Sequence, residues 1–91
     1  MTSYEFEVAA KNAVLSVVNP QYKEAFSIQD LSVVWMAHVL GYKKCILVDN
    51  GQNSRLYEVT YNKGQSEFYV DVYEKSMNVL IAGRNIKTAA E

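Results

Sequence analysis

The chain has 91 residues, of which 49% are apolar and 21% are charged, a composition typical of one ordinary globular domain. Nine Lys and Arg against ten Asp and Glu give a formal net charge of -1, which provides no strong field for nucleic acid or an anionic membrane. No stretch reaches the roughly 20 apolar residues that span a bilayer. The single Cys45 cannot form an internal disulfide, and its apolar neighbours predict a buried thiol in a reducing, cytoplasmic compartment.

The first predicted element is a helix over about residues 3–18. Thr2-Ser3-Tyr4-Glu5 matches the capping box, in which the first and last side chains satisfy each other's backbone N–H groups. Apolar residues then recur at three- and four-residue spacing from Phe6 to Val18, as on one face of a helix. Asn19-Pro20 is predicted to end the helix, because the residue before a proline is pushed out of the α region.

The second predicted element is a helix over about residues 28–40. Ser27 and Asp30 offer an N-terminal cap, and Gly41 offers a left-handed stop. Apolar residues wrap almost all round this segment, which predicts a central helix that is covered on more than one side.

Beyond Lys44 the apolar pattern changes from helical to alternating, and turn residues recur at Asn50-Gly51, Lys63-Gly64 and Glu74-Lys75. The four strands predicted from this pattern are at about 44–49, 54–62, 66–73 and 76–81. The predicted fold class is therefore α+β, with two N-terminal helices packed on one face of a four-stranded antiparallel β-meander. A single domain over residues 1–83 and a flexible tail over residues 84–91 are expected.

Register across the last two turns predicts which strand residues share a face, because directly opposed residues do so. Setting Val59 opposite Phe68, and Val72 opposite Met77, predicts a helix-covered face formed by Tyr57, Val59, Phe68, Val70, Val72, Met77, Val79 and Ile81. The opposite face is acidic and rich in tyrosine, with Glu58, Glu67, Tyr69, Asp71 and Tyr73. Parity across Asn50-Gly51 leaves open whether Cys45 or Ile46 faces the helices.

Candidate catalytic residues are few, and no motif joins them. His38 is the only histidine, so a metal site would need carboxylates from elsewhere in the chain. A His38–Cys45 nucleophile pair is conceivable, but the apolar run around Cys45 disfavours an activated thiolate. The chain is therefore expected not to be an enzyme and to use no cofactor.

Tyr69 and Tyr73 lie four residues apart on the predicted outward face, with Asp71 between them. Simple sheet packing would explain such tyrosines, and the alternative is a rigid amphipathic patch of the kind enriched at protein interfaces. The interleaved Glu67 and Asp71 are acidic, where a nucleic-acid binder would carry Lys or Arg. The face is thus a candidate for binding another protein or a second copy of the chain.

A small-molecule function stays open as an alternative to protein binding. A nucleotide signal would occupy a pocket between the second predicted helix and the sheet, where a few polar groups fix a ligand. Arg55, Lys43 and Lys44 are the candidate phosphate ligands.

Three segments carry a resemblance to a known family within about residues 4–81. They are Asp30-Leu31-Ser32-Val33-Val34-Trp35, Tyr57-Glu58-Val59-Thr60-Tyr61-Asn62 and Glu67-Phe68-Tyr69-Val70-Asp71-Val72-Tyr73-Glu74-Lys75. In these the chain resembles a family of small bacteriophage-encoded proteins of unknown function. The resemblance implies a phage or prophage origin and a place in the host bacterial cytoplasm, with no established activity. It makes a host bacterial protein the expected partner, and inhibition of a host or anti-phage defence component a hypothesis.

Overall fold

The computed structural model describes residues 1–50 and 55–88, and in it one N-terminal helix packs on a four-stranded antiparallel sheet. Helix α1 spans Ser3–Tyr22, and the strands are β1 (Leu31–Val39), β2 (Tyr42–Asp49), β3 (Arg55–Asn62) and β4 (Glu67–Glu74). The strands lie in the sheet in chain order, which makes the sheet a meander. The predicted α+β class and four-stranded meander are confirmed, whereas the second helix is wrong.

Helix α1 begins where the sequence predicts. Thr2 Oγ1 accepts the N–H of Glu5 at 3.0 Å, and the Glu5 carboxylate accepts the N–H of Thr2 at 2.8 Å, so the capping box is complete. The helix then continues through Pro20 to Tyr22, beyond the predicted end at residue 18. Proline removes only one hydrogen bond near the helix end, and Lys23 closes the last turn in the left-handed conformation at φ 54.

Residues 28–40 do not form the predicted second helix. Ile28–Asp30 is a single 3₁₀ turn, and the strand β1 follows it directly. The predicted Ser27–Asp30 cap does form, with Asp30 Oδ2 accepting the Ser27 N–H at 2.8 Å, but it closes only this short turn. The segment is rich in valine, and β-branched side chains favour strands. Apolar residues on both faces of a strand give the same sequence pattern as apolar residues all round a helix.

A one-residue β-bulge in β1 explains why this strand lacks simple alternation. Val33 pairs with Leu47 but Trp35 pairs with Ile46, so Val34 is the extra residue. A bulge inserts one residue and re-aims the side chains that follow it. Trp35 is thereby placed on the sheet face that points away from α1.

The predicted faces of β3 and β4 are correct, although the predicted register is not. Val59 pairs with Val70 rather than with Phe68, and a shift of two residues leaves the side-chain faces unchanged. On β2, Cys45 and Leu47 are buried in the core against α1, which settles the choice between Cys45 and Ile46.

The core lies between α1 and one face of the sheet. Four buried helix residues, spaced by four, meet five buried residues of β1, β2 and β3 in one cluster: Phe6, Ala10, Val14, Val18, Leu31, Cys45, Leu47, Tyr57 and Val59. Each large side chain buried in this way contributes roughly 1.5–3 kcal/mol to stability. Because α1 is the only helix longer than one turn in the described chain, the core covers a single side of the sheet.

The predicted last strand at 76–81 is wrong for the chain on its own. Among the described residues, β4 ends at Glu74 and the next element is a 3₁₀ turn at Gly83–Asn85. Met77, Val79 and Ile81 are exposed instead of facing the helix. The radius of gyration is 16.3 Å, against roughly 12 Å for a compact chain of this length, as expected when a segment projects from the domain.

Parts of the predicted layout lie outside the described residues. These are Gly51 of the Asn50-Gly51 turn, the strand start at Ser54 and the end of the predicted tail, 89–91. Within the described ranges, no helix is long and apolar enough to cross a membrane.

Candidate protein-interaction face

The sheet face that α1 leaves uncovered is the candidate site, and we call it the open face. Its four cross-strand rows, read from β1 to β4, are Ser32–Val48–Leu56–Tyr73, Trp35–Ile46–Glu58–Asp71, Ala37–Lys44–Thr60–Tyr69 and Val39–Tyr42–Asn62–Glu67. An antiparallel sheet with one solvated face normally carries polar residues on that face. Here the open-face residues of β1 and β2 are mostly apolar, so the open face has an apolar half and, on β3 and β4, an acidic half.

The five residues predicted as an interaction face all lie in the acidic half of the open face. Tyr69 and Tyr73 belong to different rows, because Asp71 and its cross-strand partner Glu58 lie between them. The Tyr69 hydroxyl donates a hydrogen bond to Glu67 Oε2 at 2.8 Å, and this bond raises the pKa of Tyr69. Both tyrosine side chains remain about half exposed.

Negative charge is concentrated on this half of the open face. Glu58 and Asp71 are directly opposed in the ladder, and like charges in that position repel each other. Lys44 Nζ lies 3.6 Å from the Glu58 carboxylate and offsets part of the repulsion. Asp71 and Glu67 have no such salt bridge among the described residues, so this half of the face attracts basic groups.

The apolar half of the open face was not predicted from the sequence. Trp35 is 48% exposed, and Val39 and Tyr42 beside it are also exposed. A depression of about 410 Å³ lies there, lined by Trp35, Ala37, Val39, Leu40, Tyr42, Lys44 and Thr60. The prediction of a helix over 28–40 hid this half, and the valine-rich, tryptophan-containing run of β1 was the signal that could have revealed it.

The tip of the β1–β2 hairpin adds an exposed leucine with a strained backbone. Leu40 and Gly41 have φ 48 and 86, positive at both central positions as a type I′ turn requires. The left-handed region costs a residue such as leucine roughly 1–2 kcal/mol, and Leu40 is 94% exposed. An apolar side chain that neither fits its turn nor is buried is a feature of a contact surface.

A family model matches the chain over residues 7–83, from α1 through the segment that follows β4. The chain belongs to DUF6275, a family of unknown function. The predicted resemblance to a family of unknown function is confirmed at this level. No curated protein and no solved structure matches the DUF6275 chain.

On the covered face, a polar cluster of the DUF6275 domain joins the end of α1 to β2 and β3. The Tyr57 hydroxyl donates to Asp49 Oδ2 at 2.8 Å, and Arg55 Nε donates to the Tyr57 oxygen at 3.1 Å. The Arg55 guanidinium also pairs with Glu24 at 3.1 Å and lies over the Tyr22 ring, 4.0 Å from its centre. Burial, and then the bond to Asp49, raise the pKa of Tyr57 to about 12. Arg55 is thus engaged with side chains of its own chain rather than placed to bind a phosphate.

The other candidate ligands and nucleophiles of the domain are also engaged. Lys43 Nζ donates to His38 Nδ1 at 2.8 Å, and His38 Nε2 lies 3.5 Å from Ser3 Oγ. Burial raises the pKa of the Cys45 thiol to about 11, so this thiol is protonated at neutral pH. Residues 1–50 and 55–88 contain no cluster of three or more His, Cys, Asp or Glu that could hold a metal. The pocket expected beneath a second helix has no counterpart, because that segment is β1.

Proposed function

We propose that this DUF6275 protein is a non-enzymatic phage or prophage accessory protein that binds a host bacterial protein through the open face. The observation that carries the proposal is the apolar half of that face, where Trp35, Val39 and Tyr42 are exposed in one patch. An exposed apolar patch rimmed by polar residues marks an interaction site. The phage origin and the host cytoplasm as its location rest on the sequence resemblance.

The chemistry of the open face defines the partner that fits it. The depression beside Trp35 and Tyr42 has room for one large apolar side chain, and such anchors dominate the energy of many interfaces. Glu67 and Asp71, on the acidic half, favour basic groups around that anchor. The expected partner is therefore a host protein surface with an apolar anchor flanked by Lys or Arg. Covering the functional surface of such a protein would inhibit it.

A non-enzymatic role is supported by the state of the possible catalytic groups. Cys45 is buried in the core and protonated at neutral pH. Both ring nitrogens of His38 lie near other side chains, Lys43 and Ser3, rather than at a thiol. A general base must reach the group that it activates, and this pair does not have that arrangement.

Site-specific photocrosslinking in the bacterial host tests the proposal. A photoreactive amino acid replaces Trp35 or Tyr69 on the open face, and Asn12 on the exposed side of α1 serves as the control position. We expect one host protein to crosslink from both open-face positions and not from Asn12. Crosslinks from Asn12 alone, or from none of the three positions, contradict the proposal.

The crosslinked protein is then purified and its affinity for the chain is measured by calorimetry. Trp35→Ala is expected to raise the dissociation constant about ten-fold or more, because Trp35 lines the depression that receives the apolar anchor of the partner. Asn12→Ala is the matched control and should bind as the wild type does. Equal affinities for wild type and Trp35→Ala would remove the apolar half from the interface.

A further inference from the structure

Residues 75–88, which we call the C-terminal arm, lie outside the sheet and expose several apolar side chains. Leu80 is 98% exposed, and Met77, Val79 and Ile81 are exposed beside it. The alternation of 76–81 predicts a strand, and the family match runs on to residue 83, so this part of the arm belongs to the family's domain. Residues 76–81 thus have the pattern of a strand but no partner strand within the described part of the chain. We take this to indicate that another molecule provides the partner strand.

Strand β4 offers the arm a place, because its outer edge is unpaired. Within the described part of the chain β4 pairs only with β3, which leaves a row of backbone N–H and C=O groups free. The covered face is also incomplete at this edge. Phe68 is 37% exposed, and Val70 and Val72 are only partly buried. A fifth strand would pair the edge and extend the apolar cover.

The arm and β4 carry opposite charges. The arm contains Lys75, Arg84 and Lys87 and no acidic residue. Strand β4 contains Glu67, Asp71 and Glu74 and no basic residue. Complementary charge favours this pairing over others, so the arm is matched to β4 in charge as well as in strand pattern.

Glu74 opposes a tight return of the arm onto its own β4. It pairs with Arg55 in the ladder, and its carboxylate accepts a hydrogen bond from the Tyr22 hydroxyl at 2.7 Å, which holds it in the strand. A hairpin would then turn at Lys75-Ser76, and neither residue favours the positive φ that two-residue hairpins need. A short hinge under strain favours exchange of the element between two copies of a chain.

We infer that the C-terminal arm pairs antiparallel with β4 of a second copy, whose own arm pairs with β4 of the first. The product is a two-fold dimer with exchanged arms. In it Met77, Val79 and Ile81 share one side of the arm and extend the cover over the partly exposed inner side of β4. This contact uses the edge of the sheet and leaves the open face free, so it does not depend on the proposed function.

Light scattering on the full chain, over a range of concentrations, tests the inference first. The wild type is expected to have twice the chain mass of 10.3 kDa. Successive N–H groups of a strand point to opposite edges, so either Val79→Pro or Leu80→Pro removes a donor to β4, and at least one should be monomeric. Val79→Thr, which keeps the N–H and the strand propensity, is the matched control and should stay dimeric. Circular dichroism checks that each variant folds.

A charge exchange tests which strand receives the arm. Arg84→Glu/Lys87→Glu in the arm, or Glu67→Lys/Asp71→Lys in β4, is expected to raise the dimer dissociation constant about ten-fold. Mixing the two variants restores opposite charges in both exchanged pairs, so a heterodimer of wild-type affinity should form.

Three results would overturn the arm exchange. They are a wild type that is monomeric throughout, a mixture without recovery, and proline variants that both remain dimeric. A dimer that Trp35→Ala disrupts while both proline variants keep it would assign self-association to the open face instead. Failure of the crosslinking from Trp35, by contrast, would leave the arm exchange standing.

Discussion

Replacing Leu40 by asparagine is expected to stabilise the chain, unlike most substitutions of leucine. Leu40 lies at φ 48 in the β1–β2 turn and is 94% exposed, so the change removes almost no buried area. The left-handed conformation costs leucine roughly 1–2 kcal/mol, whereas asparagine followed by glycine is a preferred type I′ pair. We expect the free energy of unfolding to rise by about 1 kcal/mol, or the thermal midpoint by about 4–8 °C.

Urea unfolding followed by circular dichroism, together with calorimetry, measures this change. Ser66 provides a matched control, because its φ of 52 is also left-handed but it lies in the β3–β4 loop, outside the depression. Leu40→Asn and Ser66→Asn should both be stabilised, and only Leu40→Asn should weaken binding of the crosslinked partner. A midpoint for Leu40→Asn at or below that of the wild type refutes the argument from turn strain. Stabilisation with unchanged binding would remove Leu40 from the contact surface.

Three further predictions concern the core and the first helix. Thr2→Ala should lower the free energy of unfolding by about 1 kcal/mol through loss of the N-cap, and urea unfolding that shows no change would contradict this. The pKa of Tyr57 is raised from 10.0 to about 12. The stability that the protonated phenol contributes is therefore present below pH 10 and is lost as the pH rises from 10 to 12. Tyr57→Phe should remove this loss, so the free energy of unfolding should change less between pH 10 and 12 than in the wild type. Cys45, with its pKa raised from 9.0 to about 11, should react with a thiol reagent at neutral pH at least about 100-fold more slowly than in the chain unfolded in urea, and equal rates would contradict its burial.

The first helix and the faces of β3 and β4 were predictable because local chemistry determines them. The capping box needs only Thr2 and Glu5 at the right spacing, and it forms whatever the rest of the chain does. Side-chain alternation is equally local, so Val59 and Val70 share a face even though the predicted register was wrong. What alternation cannot supply is the length of the loop between two strands, and that length sets the register.

The polar contacts between the end of α1 and the sheet could not be predicted from the sequence, for a different reason. Arg55 contacts Glu24 and the Tyr22 ring, at the far end of a helix whose length past Pro20 was not foreseen. Such contacts depend on where α1 ends and on how it lies against the sheet. Sequence reasoning therefore left Arg55 as a candidate phosphate ligand, although the fold pairs it with a carboxylate.

The C-terminal arm shows that an alternating pattern can predict a strand without predicting its partner strand. Alternating residues at 76–81 indicate a segment that is stable beside another strand, but the pattern does not say which chain provides that strand. The sequence predicts a turn at Glu74-Lys75, but Glu74 accepts a hydrogen bond from the Tyr22 hydroxyl and this bond holds it in β4. The predicted strand and its absence from the single chain are both explained if the neighbour is β4 of a second copy.

The bulge at Val34 connects the failed helix prediction with the candidate site. If β1 alternated regularly without the bulge, Trp35 would share a face with Val33 and Leu31, on the side that α1 covers. That side is already filled around Leu31, which is 2% exposed, and a tryptophan there would separate α1 from the sheet. The bulge takes Val34 out of the alternation and places Trp35 on the open face, beside the depression. The bulge also breaks the alternation of β1, so the feature that makes this strand resemble a helix in sequence also gives the open face its apolar half.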